Sequence, residues 1–353
     1  MIENIRLQNF RSYNDSTFIF AQGVNIIIGA NGSGKTNLLE ALLVISTGSS
    51  YRAKDAELVM HKKNWARIDA KLLGSNRTIK YSTHGDTVKK ALSVNGEVIS
   101  RITDKKKTPV VLFEPNHLQL FSLGPENRRD YLDDLLEITN THYGQIRRLY
   151  RRNLAQRNRL LKINPPNLKD QLFVWNIRLS ELGGQIAEYR RNLLIEIDAE
   201  LPSRYASISK TKTPIKVLYS SKIGSEQYSS QLLQKLENNI AHDVARGFTA
   251  HGPHRDDMQI LLDGHPIQDS ASRGEVRTLM LALKMVELGI IEKHYGQKAI
   301  FLLDDVFSEL DATRRKALTT IMSGHQTFIT TTDADVVAKS LETKCRTIKT
   351  SGY

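Results

Sequence analysis

Cysteine is almost missing from this sequence: Cys345 stands alone among 353 residues. An intramolecular disulfide is excluded and a thiolate metal cluster is not expected, which fits a reducing cytoplasm. Long apolar runs are missing too. No stretch reaches the roughly 18 apolar residues of a membrane-spanning helix, so no transmembrane helix is expected. The opening residues Met1-Ile2-Glu3-Asn4-Ile5-Arg6 lack the basic-then-apolar layout of a secretion signal. There are no internal repeats, no low-complexity tail and no Asn-Lys-x-Asp pattern of guanine recognition.

What is present is an ordinary globular composition, 40% apolar and 25% charged, with a net charge of +12. The excess of cations favours a polyanionic partner, with nucleic acid first and an anionic membrane surface second. A chain of 353 residues exceeds what one hydrophobic core organises, so two lobes are expected.

Residues Gly29-Ala30-Asn31-Gly32-Ser33-Gly34-Lys35-Thr36 fit the phosphate-loop pattern G-x-x-x-x-G-K-[ST] without a mismatch. The apolar run 24–28 precedes it and the helical run 37–43 follows, which is the strand, loop and helix context the pattern requires. Glycines let backbone N–H groups wrap phosphates, and the helix directs its positive dipole end at the same anion. Lys35 is expected on the outer phosphates and Thr36 on Mg2+, so the chain is expected to bind a nucleoside triphosphate.

The metal needs an acidic partner. Ile300-Phe301-Leu302-Leu303 reads as a buried parallel strand ending in Asp304 and Asp305. Asp304 is expected to hold Mg2+ with Thr36, and Asp305 to act as general base toward water. Lys35 and Asp304 lie too far apart for an uninterrupted nucleotide-binding domain, implying an insertion around residues 127–200. Ser272-Arg273-Gly274-Glu275 precedes a helix and reads either as a cap or as a second phosphate-facing surface.

The coarse secondary structure supports a head and an insert. Residues 67–100 read as a β-meander with a turn at Asn95-Gly96, and 110–113 as a buried strand. Lys105, Lys106 and Lys107 read as a solvated loop. Residues 127–161 read as one helix stopped by Asn164-Pro165-Pro166. Leu172, Trp175, Leu179, Leu182, Ile186, Tyr189 and Leu193 form a heptad-like seam that Gly183-Gly184 is expected to interrupt. An antiparallel helical hairpin follows, too short for a long coiled-coil arm. Residues 203–230 read as irregular apart from a strand at 215–219. Trp65 and Trp175 read as core.

The order of these features resembles ABC-type ATPases: phosphate loop, Ser-x-Gly-Glu before a helix, Asp304-Asp305, then Ser308-Glu309-Leu310-Asp311. Asn9-Phe10-Arg11-Ser12-Tyr13, Gly124-Pro125-Glu126-Asn127-Arg128-Arg129 and His251-Gly252-Pro253-His254-Arg255-Asp256-Asp257 narrow this. Together they resemble the RecF family of recombinational repair ATPases over nearly the whole chain. Leu123 departs from the glycine expected before Gly124-Pro125, and Thr331 or Thr332 stands where a histidine usually follows the strand after Asp304.

The resemblance implies an α/β fold: an ABC-type P-loop ATPase head, with a mixed sheet, flanking helices and an antiparallel β subdomain, and an inserted helical lobe. The expected divisions are 1–115 (head with Walker A), 116–245 (insert) and 246–353 (head with signature motif, Walker B and D-loop). It implies a weak ATPase using ATP and Mg2+. Ser272, Gly274 and Asp311 would act in trans across an ATP-dependent homodimer, with Arg11 near the phosphates. It further implies DNA, RecR and RecO as partners in gap repair, RecA loading and the SOS response, and no membrane partner. The segment 145–162 carries Arg147, Arg148, Arg151, Arg152, Arg157, Arg159 and Lys162 with no acid. With Ile146, Leu149, Tyr150, Leu154 and Leu161 on an apolar face, a basic stripe is expected opposite, and Arg147, Arg148, Arg151 and Arg152 are the candidate DNA contacts. His251 and His254 with Asp256 and Asp257 read as a structural or DNA-facing loop rather than a zinc site. A nucleotide-binding subunit of an ABC transporter shares the nucleotide motifs, but should carry a membrane-partner surface in place of the stripe. A nucleotide kinase would not need Ser272.

Overall fold

The computed structural model of the chain describes residues 1–85, 87–103, 106–333, 337 and 345–350. Lys105, expected in a solvated loop, lies outside them.

Alternating and continuous apolar runs build two kinds of sheet. Along the chain come strands β1 (Ile2–Phe10), β2 (Tyr13–Ile19) and β3 (Val24–Ile28), then helix α1 (Lys35–Thr47). Strands β4 (Trp65–Leu72), β5 (Ser75–His84), β6 (Thr87–Val94), β7 (Glu97–Ile99) and β8 (Val110–Phe113) follow. Next are α2 (Pro125–Thr139), α3 (Thr141–Ile163), α4 (Leu168–Ser209), β9 (Ile215–Ser220), α5 (Tyr228–Asn238) and α6 (Ile240–Arg246). The chain continues through β10 (Asp257–Leu262), β11 (His265–Pro266), α7 (Ile267–Ser270) and α8 (Arg273–Tyr295). It closes with β12 (Ile300–Asp304), α9 (Ala312–Met322), β13 (Thr327–Thr331) and β14 (Cys345–Lys349).

Two compact units result, residues 1–117 with 287–353 and residues 118–286. In the first, β2-β1-β4-β5-β6-β7 form an antiparallel sheet. The Asn95-Gly96 turn lies in it, with φ 52° and 84°, the left-handed pair a tight hairpin needs. A second sheet, ordered β14-β3-β13-β12-β8, is parallel at each pairing among the described residues. Its central strands β12 and β13 are buried throughout, as expected for a sheet covered on both faces. One core joins the two sheets around α1, through Leu38, Leu42 and Ile45 of the helix, Ile5 and Leu7 of β1 and Leu302 of β12. This is the α/β ATPase-head architecture expected. Trp65, expected in the core, begins β4 and is 44% exposed.

In the second unit, the expected single helix 127–161 is two helices. The Asn140 side chain accepts hydrogen bonds from the N–H groups of His142 and Tyr143, capping α3 and ending continuity with α2. α3 stops at Asn164 with φ 48°, before the prolines. It pairs with α4 as the expected hairpin. α4 runs unbroken through Gly183 and Gly184, because both are sites of close approach rather than breaks. A Cβ on Gly183 would lie 2.7 Å from Leu232 Cδ2, and one on Gly184 1.9 Å from Ser229 Oγ. The helix continues to Ser209, into the segment expected to be irregular.

The compact units divide at 286/287, within α8, whereas the division expected from the sequence is at 245/246. Strand pairing ties part of the intervening stretch to the insert: β10 runs antiparallel to β9, and β11 to β10, so residues 257–266 form a sheet with β9. Ser272 and Gly274 fall in the second unit.

Candidate nucleotide site

Parallel strands end on one edge, and an α/β sheet receives its ligands at the carboxyl ends of its strands. The loop after β3 and the carboxylates after β12 both stand there. Gly32 and Gly34 adopt φ 80° and 94°, open to glycine and costly for other residues. Gly34 also has no room for a side chain, since a Cβ would lie 2.8 Å from Ser12 Oγ and 2.9 Å from the Tyr13 hydroxyl. That hydroxyl donates to Gly34 O at 2.9 Å, so the β1–β2 turn clamps the loop. Ser33 Oγ meets Thr350 Oγ1 at 2.8 Å. Lys35 is buried, and its ammonium donates to Gly29 O at 2.9 Å and Ala30 O at 3.1 Å, carbonyls of its own loop.

Thr36 and Asp304, 268 residues apart, are brought together: Thr36 Oγ1 donates to Asp304 Oδ1 at 3.1 Å. Thr330 Oγ1 donates to the same carboxylate oxygen at 2.6 Å and accepts the Asp305 N–H at 2.9 Å. Asp305 is held in a left-handed turn with φ 50°. Burial raises its pKa; Lys35 opposes the shift and Asp304 adds to it. A carboxylate of raised pKa beside a phosphate loop is suited to accept a proton.

The residues present fit a magnesium-bound triphosphate. The hydroxyl of Thr36 and the Asp304 carboxylate are hard oxygen donors already within contact, matching the ligand preference of Mg2+. The glycine loop offers a cradle that side chains would fill.

Arg11, also left-handed at φ 51°, does not point freely at the loop. Its Nε and Nη2 donate to Glu40 Oε2 and Oε1 at 2.8 and 3.0 Å. Asp311 caps α9, its side chain accepting the Arg314 N–H at 2.9 Å, and pairs with the Arg314 guanidinium. Thr331 Oγ1 donates to Asp333 O at 3.1 Å, while Thr332 is exposed.

In the second unit, Ser272 and Glu275 form a reciprocal capping box. Ser272 N–H and Oγ donate to Glu275 Oε2, each at 2.8 Å, and the Glu275 N–H returns to Ser272 Oγ at 3.2 Å. Ser272 is exposed, and Gly274 O accepts from Thr278 Oγ1 at 3.0 Å.

The basic stripe is narrower than expected. Arg148, Arg151 and Arg152 are exposed, with Arg151 Nη2 3.5 Å from Asp130 Oδ1. Arg147 is 8% exposed and reaches Asp130, Asp133, Asp134 and Glu137. It does not stand with the other three, because the acids lie on α2, out of sight of a reading of α3 alone. Arg157 is fully buried, whereas Leu149, expected on the apolar face, is 48% exposed. Within the His251–Asp257 block, three side chains are held by the protein. Asp256 accepts from Tyr219, Ser221 and Tyr228, Asp257 takes a bidentate Arg128, and His254 bridges the Tyr150 hydroxyl and Thr249 O. Burial lowers the His254 pKa to about 4. Among the described residues no acidic or histidine cluster suits a metal.

Sequence reasoning missed Thr330, Tyr13 and Glu40. Thr330 is the register partner of Asp304 across β12 and β13, a pairing no local pattern reveals.

Comparison with known proteins adds family evidence to this geometry. The model of the RecF/RecN/SMC N terminal domain matches residues 1–352. The DNA replication and repair protein RecF of Alkaliphilus oremlandii is 33% identical over 348 residues, 94% of this chain and 93% of its own. That of Halothermothrix orenii is 34% identical over 345 residues, covering 94% and 92%. A solved structure of the recombination mediator protein RecF-ATPrS in the RecFOR pathway is similar with a TM-score of 0.86 and 30% identity, over 99% of this chain and 96% of that one. An Smc head bound to the C-winged helix domain of ScpA shares the fold, with a TM-score of 0.53 and 16% identity over 97% and 92%.

Proposed function

The chain belongs to the RecF/RecN/SMC N-terminal family, as a RecF-type member, and from that premise we propose that it is an ATP-dependent DNA-binding protein of recombinational repair and replication restart. The observation that carries the nucleotide part is the Thr36–Asp304 contact at the mouth of an intact phosphate loop. Lys35 binds the outer phosphates, exchanging loop carbonyls for phosphate oxygens. Thr36 and Asp304 hold Mg2+, which supplies neutralisation of phosphate charge when bound. Asp305 takes a proton from water, and Arg11 contacts the phosphates.

ATP joins two copies of the chain, with Ser272, Gly274 and Asp311 facing the nucleotide of the other copy, and slow hydrolysis releases them. The dimer holds gapped DNA or single-strand/double-strand junctions. With proteins of the RecO and RecR type it helps to load RecA and induce the SOS response in the cytoplasm. Arg148, Arg151 and Arg152 are the proposed phosphate contacts to DNA; Arg147 leaves that set because four carboxylates surround it. RecF-type membership favours this reading over a nucleotide-binding subunit of an ABC transporter.

Sedimentation with and without ATP tests the dimer. Wild type is expected to dimerise with ATP. Ser272→Arg should bind ATP as a monomer with unchanged affinity and fail to dimerise, because a bulky cation blocks closure. Loss of nucleotide affinity in the monomeric mutant would show that the serine acts in cis.

A further inference from the structure

Two guanidiniums converge on one carboxylate beside the phosphate loop. Glu40 lies on α1, one helical turn after Thr36, and is fully buried. Arg11 grips it with a two-pronged fork at 2.8 and 3.0 Å. Arg52 Nη2 donates to Glu40 Oε2 at 3.0 Å and to Asn37 Oδ1 at 3.1 Å, and Ser50 Oγ to Glu40 Oε1 at 2.6 Å. The turn carrying Arg11 leans on the loop and on the start of α1: Tyr13 holds Gly34 O, and the Asn37 amide donates to Ser12 Oγ at 2.9 Å. Burial works against the charge on Glu40, and hydrogen bonds from Arg11, Arg52 and Ser50 outweigh it, so its pKa is lowered.

A buried carboxylate with a single cation does not release it readily, since a bare buried charge would remain. Glu40 differs. If Arg11 leaves, Arg52 and Ser50 stay. Arg11 is also in a left-handed backbone conformation that a long side chain disfavours, so its position is held by its surroundings.

We propose that Arg52 is a positioning residue for Arg11: by sharing Glu40, it lets Arg11 transfer from that carboxylate to the outer phosphate of a bound triphosphate. This rests on the reading of residues 29–36 as an ATP site with Arg11 at the phosphates.

The test compares binding of a non-hydrolysable ATP analogue and of ADP by titration calorimetry, with the melting temperature of each unliganded variant measured alongside. Without Arg52, Arg11 is pinned on Glu40. Arg52→Ala should weaken the analogue roughly tenfold, the scale of one charge-assisted contact, and change ADP binding by less than about twofold. Arg11→Ala should lose as much, and the Arg11→Ala/Arg52→Ala double variant no more than either single one. Glu40→Gln in the Arg52→Ala background should restore analogue binding, because a neutral amide releases Arg11. Arg52→Lys, which keeps a cation on Glu40, should bind the analogue more tightly than Arg52→Ala; it carries the test if the alanine variant melts early. Unchanged analogue affinity in Arg52→Ala, additive losses in the double variant, or no recovery with Glu40→Gln overturns the proposal. Lys35→Ala separates the two readings. Full binding of both nucleotides there refutes the phosphate-loop assignment and this proposal with it. Loss there with no change in Arg52→Ala refutes the proposal alone.

Discussion

Two charged sites, one in each compact unit, are partnered in opposite ways. In residues 118–286 two buried arginines are closed by carboxylates of the protein itself. Arg157 is wholly enclosed and meets Asp243, Thr249, Asn176 and the Leu236 carbonyl. Arg190 forks onto Asp133 and donates to Pro253 O. In the unit with the phosphate loop, Lys35 reaches neutral carbonyls, and Asp304 accepts from two threonine hydroxyls rather than a cation. An enclosed ion pair recovers its desolvation cost only with close geometry and further hydrogen bonds, so the first arrangement specifies a packing. Charges resting on weak, replaceable partners are suited instead to exchange those partners for a ligand.

The sharpest way to break this comparison is at Arg157. Arg157→Met leaves Asp243 buried without its cation and should cost about 3–5 kcal/mol. Denaturant melts would measure it, and adding Asp243→Leu should return much of the loss. A single mutant within about 1 kcal/mol of wild type would mean that the enclosed network is not what holds this unit.

A smaller effect, on activity rather than stability, is expected at Lys35. Lys35→Arg keeps the charge but replaces a compact ammonium with a planar fork, and ATP hydrolysis should fall by roughly 100-fold or more. Melting should move little. Steady-state phosphate release decides it, and undiminished turnover would refute the phosphate-loop assignment.

The smallest effect belongs to exposed charges with no fixed partner role. Changing Arg148 and Arg152 together to alanine should alter stability by no more than about 0.5 kcal/mol. It should lower the slope of log DNA affinity against log salt by about 2, roughly 0.9 for each DNA phosphate left without its arginine. Filter binding across salt concentrations reads this, and an unaltered slope would make the stripe a solvated face.

Much of the candidate nucleotide site was legible because its signals are local. Glycine at positive φ, a lysine and threonine at fixed offsets, and an apolar strand ending in two acids occupy a few neighbouring residues each. The Asn95-Gly96 turn and the strand 110–113 were readable for the same reason. Arg147 and Arg157 misled because helical spacing tells which residues share a face but not what packs on that face. Gly183 and Gly184 misled in the same way: propensity counts their cost within the helix, while the close approach of Leu232 and Ser229 supplies the compensation.

By itself the sequence determined the phosphate loop, the acidic strand end, the helical hairpin and the family resemblance, since backbone conformation and hydrophobic period are set by nearest neighbours. Only the tertiary structure decided which charges meet. Asp243 lies 86 residues from Arg157, and Asp133 lies 57 from Arg190. It also decided that Thr330 braces both Asp304 and Asp305, that Arg52 joins Arg11 on Glu40, and that residues 257–266 pair with β9. Electrostatic and strand partners are chosen by proximity in space, and proximity is a property of the packed core rather than of any window along the chain.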